Sequence, residues 1–168
     1  LEDGAADDPD ARARFLAMIQ ADTARLDRLV SRLLELARAE DDRGPAEPVD
    51  LRALVAALPD RGVPIACTVA GDPRVHGRGD ALAAAIGNLV DNAVEFAAPG
   101  TRVAIAIAGA GARVRVTVSN RGPALSSSAL ARVWDRFYST RTGQGGTGLG
   151  LAIVRAVATA HGGTVGAA

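Results

Sequence analysis

The sequence predicts an α+β fold preceded by a long amphipathic helix, and three stretches carry that expectation. Phe15, Ile19, Asp22, Leu26, Leu29, Leu33 and Leu36 alternate spacings of four and three, a heptad seam with one polar break. Residues 103–108 and 113–119 alternate apolar and polar side chains with period two around Gly109-Ala110-Gly111, a hairpin signal. Gly145-Gly146-Thr147-Gly148-Leu149-Gly150-Leu151 runs into a segment whose Leu149, Ile153 and Val157, with Leu151 and Val154, have helical spacing.

The elements follow in order. A helix is expected over residues 11–40. Val30 and Leu34 widen its apolar face beyond a two-stranded seam, as a four-helix bundle requires. An amphipathic helix inside one monomer would satisfy the same periodicity. Residues 41–50 are charged and contain Pro45 and Pro48, so they read as a linker. A short helix over 51–58 and a strand over 64–70 come next. Asp80 is placed to cap a helix that ends near Ala98-Pro99-Gly100. After the hairpin, Ser126-Ser127-Ser128 caps a short helix through Val133. The last helix covers 149–160, with His161 at its C-terminus and Gly162 as cap.

Two of these places carry chemistry. A glycine-rich loop opening a helix suits an anion, because the first helical N–H groups lack internal partners and the helix dipole favours negative charge. A flexible loop before a core helix fits the same residues about equally well. The pattern lacks the lysine of a Walker loop and the preceding strand of the dinucleotide fingerprint. Asn88 and Asn92 lie four apart in an otherwise apolar helical stretch and share one face, with Asp91 beside it. Amides buried there without partners would be costly. They supply neutral oxygens suited to Mg²⁺, which takes few protein ligands together with phosphate oxygens. The alternative is a pair of capping or solvated amides.

With these segments in place, the chain resembles the sensor histidine kinases of two-component signalling. Asn88 to Phe96 is similar to their asparagine box. Ser119-Asn120-Arg121-Gly122-Pro123-Ala124-Leu125 is similar to the first glycine box, and Val133-Trp134-Asp135-Arg136-Phe137-Tyr138 to the phenylalanine box. Gly146 to Ala152 resembles the second glycine box. The resemblance implies a Bergerat-type α/β sandwich, a mixed sheet with helices on one face, that binds ATP and Mg²⁺. In that family Asn92 would hold Mg²⁺ and Asn88 would contact phosphate or the metal's surroundings. Asn120 and Gly122 would meet the adenine. Arg136 would face the phosphates, and Phe137 would sit beside the nucleotide. Gly146, Thr147, Gly148, Leu149 and Gly150 would cradle the triphosphate under a lid of residues 125–145, whose glycine-rich Gly143-Gln144-Gly145-Gly146 end would suit such a lid.

The same resemblance exposes departures. Asn120 stands where the family usually has an aspartate for the adenine amino group. Ala124 replaces a glycine, and Glu95 replaces a common lysine or arginine. Arg136 and Arg141 are candidates to compensate. No stretch matches the family's phosphoacceptor histidine box. His76 and His161 are both read as structural, so no catalytic residue is assigned within this chain. Residues 1–40 are therefore expected to hold only the second helix of the dimerisation and phosphotransfer hairpin, with 1–10 leading into it. Residues 51–168 would be the catalytic domain, short of its closing strands. The implied activity is ATP-dependent phosphorylation of a histidine outside this chain and onward transfer to a response-regulator aspartate. A regulatory pseudokinase and an ATP-gated clamp of the same fold remain alternatives.

Composition limits the partners. Nineteen basic and nineteen acidic residues cancel, which disfavours a nucleic-acid surface. With 48% hydrophobic but only 3% aromatic residues, Ala, Val and Leu must fill the core. Cys67 alone can form no internal disulfide, which suits a reducing cytosol. The expected partners are a response-regulator receiver domain and a second copy in a full-length homodimer. Membrane attachment is expected only through segments upstream of this chain, which would place this part in the cytoplasm.

Overall fold

Alternation in residues 103–110 builds the centre of the sheet. Val103, Ile105 and Ile107 all point one way and are almost wholly buried, while Ala106 and Ala108 face solvent. The computed structural model describes residues 9–41, 44–140 and 146–168. Among them the elements run α1 (Pro9–Glu40), β1 (Glu47–Asp50), α2 (Leu51–Ala56), β2 (Ile65–Ala70), β3 (Arg74–Gly77), α3 (Gly79–Glu95), β4 (Val103–Ala110), β5 (Arg113–Ser119), α4 (Ser127–Arg132) and α5 (Gly150–Ala160).

The expected α+β class and mixed sheet are both present. β2 pairs parallel with β4, and β4 pairs antiparallel with β5, giving the order β2-β4-β5. A separate antiparallel pair joins β1 to β3, with Val49 opposite Val75. Helices α2 and α3 cover the inner face of β4. Leu51 and Val55, with Ile86, Val90 and Ala93, close over Val103, Ile105 and Ile107. The outward side chains of β5, Arg113, Arg115 and Thr117, stay exposed, so the layer is helical on one side and wet on the other.

A second core lies between helices. Leu36 and Ala39 of α1 meet Ala81 and Ala85 of α3 and Leu149, Ile153, Val154 and Val157 of α5. Trp134 packs against this cluster. The C-terminal end of α1 is thus folded onto the domain. Phe15, Leu26, Val30, Leu33 and Leu34 of the same helix remain exposed.

Several sequence expectations shift. Residues 47–50, read as the end of a linker, form β1. Its last residue, Asp50, caps α2 by accepting from the N–H groups of Arg52 and Ala53. Strand β3 had no counterpart in the sequence reading. Asp80 is not the cap of α3. Arg78 holds that position, and the Asp80 carboxylate accepts from the Ala81 N–H inside the first turn. β4 continues through Ala110, so the hairpin turns at Gly111-Ala112, where Gly111 has φ 61°. The short helix capped by Ser126 is present as α4, with the hydroxyl accepting from Ala129 N–H. The lid end at Gly143, Gln144 and Gly145, Arg141, and the leading residues 1–8 lie outside the described residues.

Candidate functional site

Helix α5 starts at Gly150 with no side-chain cap and no acidic residue in its first turn. Its first N–H groups therefore point out of the helix with the positive end of the dipole behind them. The approach is shaped by Gly148, which has φ 65°. A Cβ there would lie 2.5 Å from the carbonyl carbon of Phe137. The Gly148 carbonyl accepts from the Phe137 N–H at 2.9 Å, and Phe137 itself is held at φ 63°, a strained angle for an aromatic residue. The phenylalanine box and the second glycine box are thus hydrogen-bonded neighbours. Thr147 Oγ1 accepts from the Leu149 N–H at 3.4 Å, and Leu149 is fully buried. Gly146 is exposed at the start of this loop.

Asn88 of α3 faces the same place. It is 5% exposed, the one buried polar side chain among the described residues. Its Nδ2 donates to the Ala84 carbonyl at 2.9 Å, and a Cβ on Gly150 would lie 3.2 Å from its Oδ1. That Oδ1 also accepts from Arg32 Nη1 of α1 at 2.7 Å. Asn92, one turn on, is half-buried, and its amide has no side-chain hydrogen bond among the described residues. Asp91 accepts from Arg61 Nε at 2.5 Å and lies 3.9 Å from Arg32 Nη2.

The first glycine box sits at the C-terminal end of α3, one turn beyond Asn92. Asn120 Nδ2 donates to the Phe96 carbonyl at 3.0 Å, and the Arg121 carbonyl accepts from the Ala98 N–H at 2.6 Å. Gly122 passes so close that a Cβ would lie 2.0 Å from the Phe96 oxygen. Its need for glycine is therefore met within the fold. Arg136 adjoins the glycine loop through Phe137, but its guanidinium turns outward to an ion pair with Glu40 of α1.

The structure thus brings Asn88, Phe137, Thr147, Gly148, Leu149 and Gly150 to one helix end. Asn92 lies one turn further along α3, and Asn120 and Gly122 stand at the C-terminal end of that helix. Arg32, Glu40 and Arg61 were missed by the sequence reading. Arg32 and Glu40 are 56 and 96 residues from their partners, and no local pattern marks such pairs.

The donor set suits a hard cation that leans on phosphate. Among the described residues no group of three His, Cys, Asp or Glu side chains could hold a metal. A neutral amide such as Asn92 together with phosphate oxygens fits Mg²⁺ better than a protein-only cage.

Residues 77–168 match the family described as histidine kinase-, DNA gyrase B- and HSP90-like ATPases. The chain belongs to that family. Within it the likeness is to sensor histidine kinases. The chain is 33% identical over 95% of its length to the sensor-like histidine kinase SenX3 of Mycolicibacterium smegmatis, covering 45% of that protein. To the probable sensor histidine kinase TcrY of Mycobacterium tuberculosis it is 36% identical, again over 95% of its length and 36% of the relative. It therefore spans less than half of these curated relatives. Among solved structures, the mycobacterial sensor histidine kinase MprB aligns with TM-score 0.62 and 28% identity, over 70% of this chain and 80% of that one. Full-length ShkA in complex with AMPPNP aligns with TM-score 0.70 and 28% identity, over 92% of this chain and 35% of that one. The Bergerat-type fold of the sequence reading is the fold of this family.

Proposed function

We propose that this chain is the ATP-binding catalytic part of a sensor histidine kinase. The observation that carries the reading is the meeting of Asn88 with Gly150 at the uncapped N-terminus of α5, in a chain of this ATPase family. The ShkA relative was solved with an ATP analogue, which supports a nucleotide here. The triphosphate would lie against the N–H groups from Gly148 to Gly150. Asn92 would give its amide oxygen to Mg²⁺, which supplies charge neutralisation on the phosphates. Asn120 and Gly122 would border the adenine, and residues 125–145 would cover it. The protein's share of phosphoryl transfer is positioning and electrostatics. The acceptor would be a histidine outside these residues, followed by an aspartate on a response-regulator receiver domain, with the full-length protein acting as a membrane-anchored homodimer. No described helix is long and apolar enough to cross a membrane, so such an anchor would belong to another segment.

Asn120 favours a second reading, a regulatory nucleotide-binding module with little turnover. Its neutral amide replaces a charged acceptor, and its Nδ2 is already committed to Phe96. Displacement of a fluorescent ATP analogue tests the nucleotide site that both share, and ATP turnover by the full-length protein separates the two. On the kinase reading, the natural chain binds in a Mg²⁺-dependent way, and Asn120→Asp tightens binding by about tenfold, the worth of one charge-assisted hydrogen bond. Absence of binding in both forms would remove both readings. Incubated with Mg·ATP, the chain is expected to gain no acid-labile label on His76 or His161, and label there would show that the phosphoacceptor has been misplaced.

A further inference from the structure

Strand β2 stands at one edge of its sheet and is paired on its β4 side alone among the described residues. Natural edge strands are usually blunted by charge, proline or a bulge. β5, at the opposite edge, carries Arg113 and Arg115. Residues 63–70, Val-Pro-Ile-Ala-Cys-Thr-Val-Ala, carry no charge, and Pro64 precedes the strand. The register with β4 puts Ile65, Cys67 and Val69 on the helix-covered face, level with Val103, Ile105 and Ile107. The cover does not reach the end of that row. Ile65 is half-buried, whereas Cys67 and Val69 are exposed, Val69 at 38%. A shallow cavity of about 570 Å³ opens beside the first half of the strand, lined by Val55, Leu58, Val63, Ile65 and Cys67, with Asp60 among them. One edge thus carries an apolar hollow at its start and an exposed apolar side chain at its end.

We propose that β2 pairs antiparallel with β2 of a second copy of this chain, around a two-fold axis at Cys67. A two-fold contact sets a patch against its own counterpart, so a knob and a hollow on one edge satisfy each other twice. With the axis at Cys67, Val69 of each copy lies opposite the partner's Ile65, beside the hollow. Ala66 lies opposite the partner's Thr68. Opposed side chains in an antiparallel pair share a face, so apolar meets apolar on the covered side and small residues meet on the outer side. Charge agrees at both ends. Asp60 at the hollow is brought toward the partner's turn after β2, where the Arg74 side chain is still 69% exposed beside Asp72. The two three-stranded sheets then join in the order β5-β4-β2-β2-β4-β5. Two short strands bury less than the roughly 1,000 Å² of a stable interface, so the contact is weak between separate molecules. It gains strength where another contact already concentrates the copies.

The test is disulfide trapping in the full chain, with copper–phenanthroline as oxidant. Opposed residues in an antiparallel pair have Cα atoms about 4.5–5.5 Å apart, within the span of a disulfide. Cys67 should therefore link two copies. The link should form at least about tenfold faster than in the double variant Cys67→Ser with Thr68→Cys, whose thiol stands on the other face, opposite the partner's Ala66. Val69→Lys, with Cys67 kept, should slow the link by about tenfold, because a charge on the edge opposes pairing. Reaction with a small thiol reagent normalises each form for thiol exposure, and circular dichroism melts establish that each folds. Equal linking rates through the two cysteine positions would mark random collision and overturn the pairing. An unchanged rate in folded Val69→Lys, or no link through Cys67, would also overturn it. None of these outcomes depends on nucleotide.

Discussion

Asn88 and Asn92 share one helix face and have different surroundings. The burial of Asn88 is explained within the chain, because the Ala84 carbonyl and Arg32 satisfy both ends of its amide. Asn92 has no such partner among the described residues, so the metal-binding proposal rests more heavily on it. Gly148 and Gly122 are held to glycine by contacts that any side chain would violate. Gly122→Ala places a carbon against the Phe96 carbonyl and should cost about 1–3 kcal/mol of stability, read as a lower melting temperature. A melt unchanged by this substitution would mean that the loop does not close on α3 in solution. The motif residues were legible in the sequence because their types are unusual where they stand: glycines before an apolar helix, and amides inside one. Arg32 and Glu40 were not legible. Arginine and glutamate on a polar helix face look the same whether they meet solvent or a distant asparagine.

Among the elements, those with a sustained period were readable and those without were not. β4 and β5 alternate over eight and seven residues, and α5 repeats over eleven. β1 and β3 are four residues each, too short to show a period, and Pro48 in β1 argues against a strand in any but an edge position. Their pairing is set by tertiary contacts around the start of α3. There His161 ties three helices together. Its Nε2 accepts from the Arg78 N–H at 3.1 Å, which leaves Nδ1 to donate to the Val157 carbonyl at 2.8 Å. Arg78 in turn donates to the last carbonyls of α1, where a cation is favoured. The expectation that His161 is structural therefore has a specific content. His161→Phe should destabilise the chain by about 1–3 kcal/mol in urea unfolding, through an orphaned Arg78 N–H, with nucleotide affinity unaltered. Loss of nucleotide binding in a folded His161→Phe protein would give this histidine a different role.

For the whole molecule, α1 divides into two regions. Its C-terminal stripe is packed on α3 and α5, and its N-terminal apolar face is open from Phe15 to Leu34. Exposed apolar surface of this extent marks a contact with another molecule. We expect the chain to self-associate through that face. Leu26→Glu with Leu33→Glu should shift it toward monomer in light scattering, while Leu36 keeps α1 docked. A natural chain that is monomeric at high concentration would argue against the hairpin role of α1. The proposed nucleotide site lies where the uncapped α5 meets Asn88, with Asn92 one turn further along α3. Calorimetric titration of ATP into the natural chain and into Asn92→Ala, each with and without Mg²⁺, tests it most directly. The account predicts Mg²⁺-dependent binding by the natural chain, its loss in a folded Asn92→Ala protein, and an unchanged melting temperature without nucleotide. Equal ATP affinity in the two proteins, with the same Mg²⁺ dependence, would contradict it.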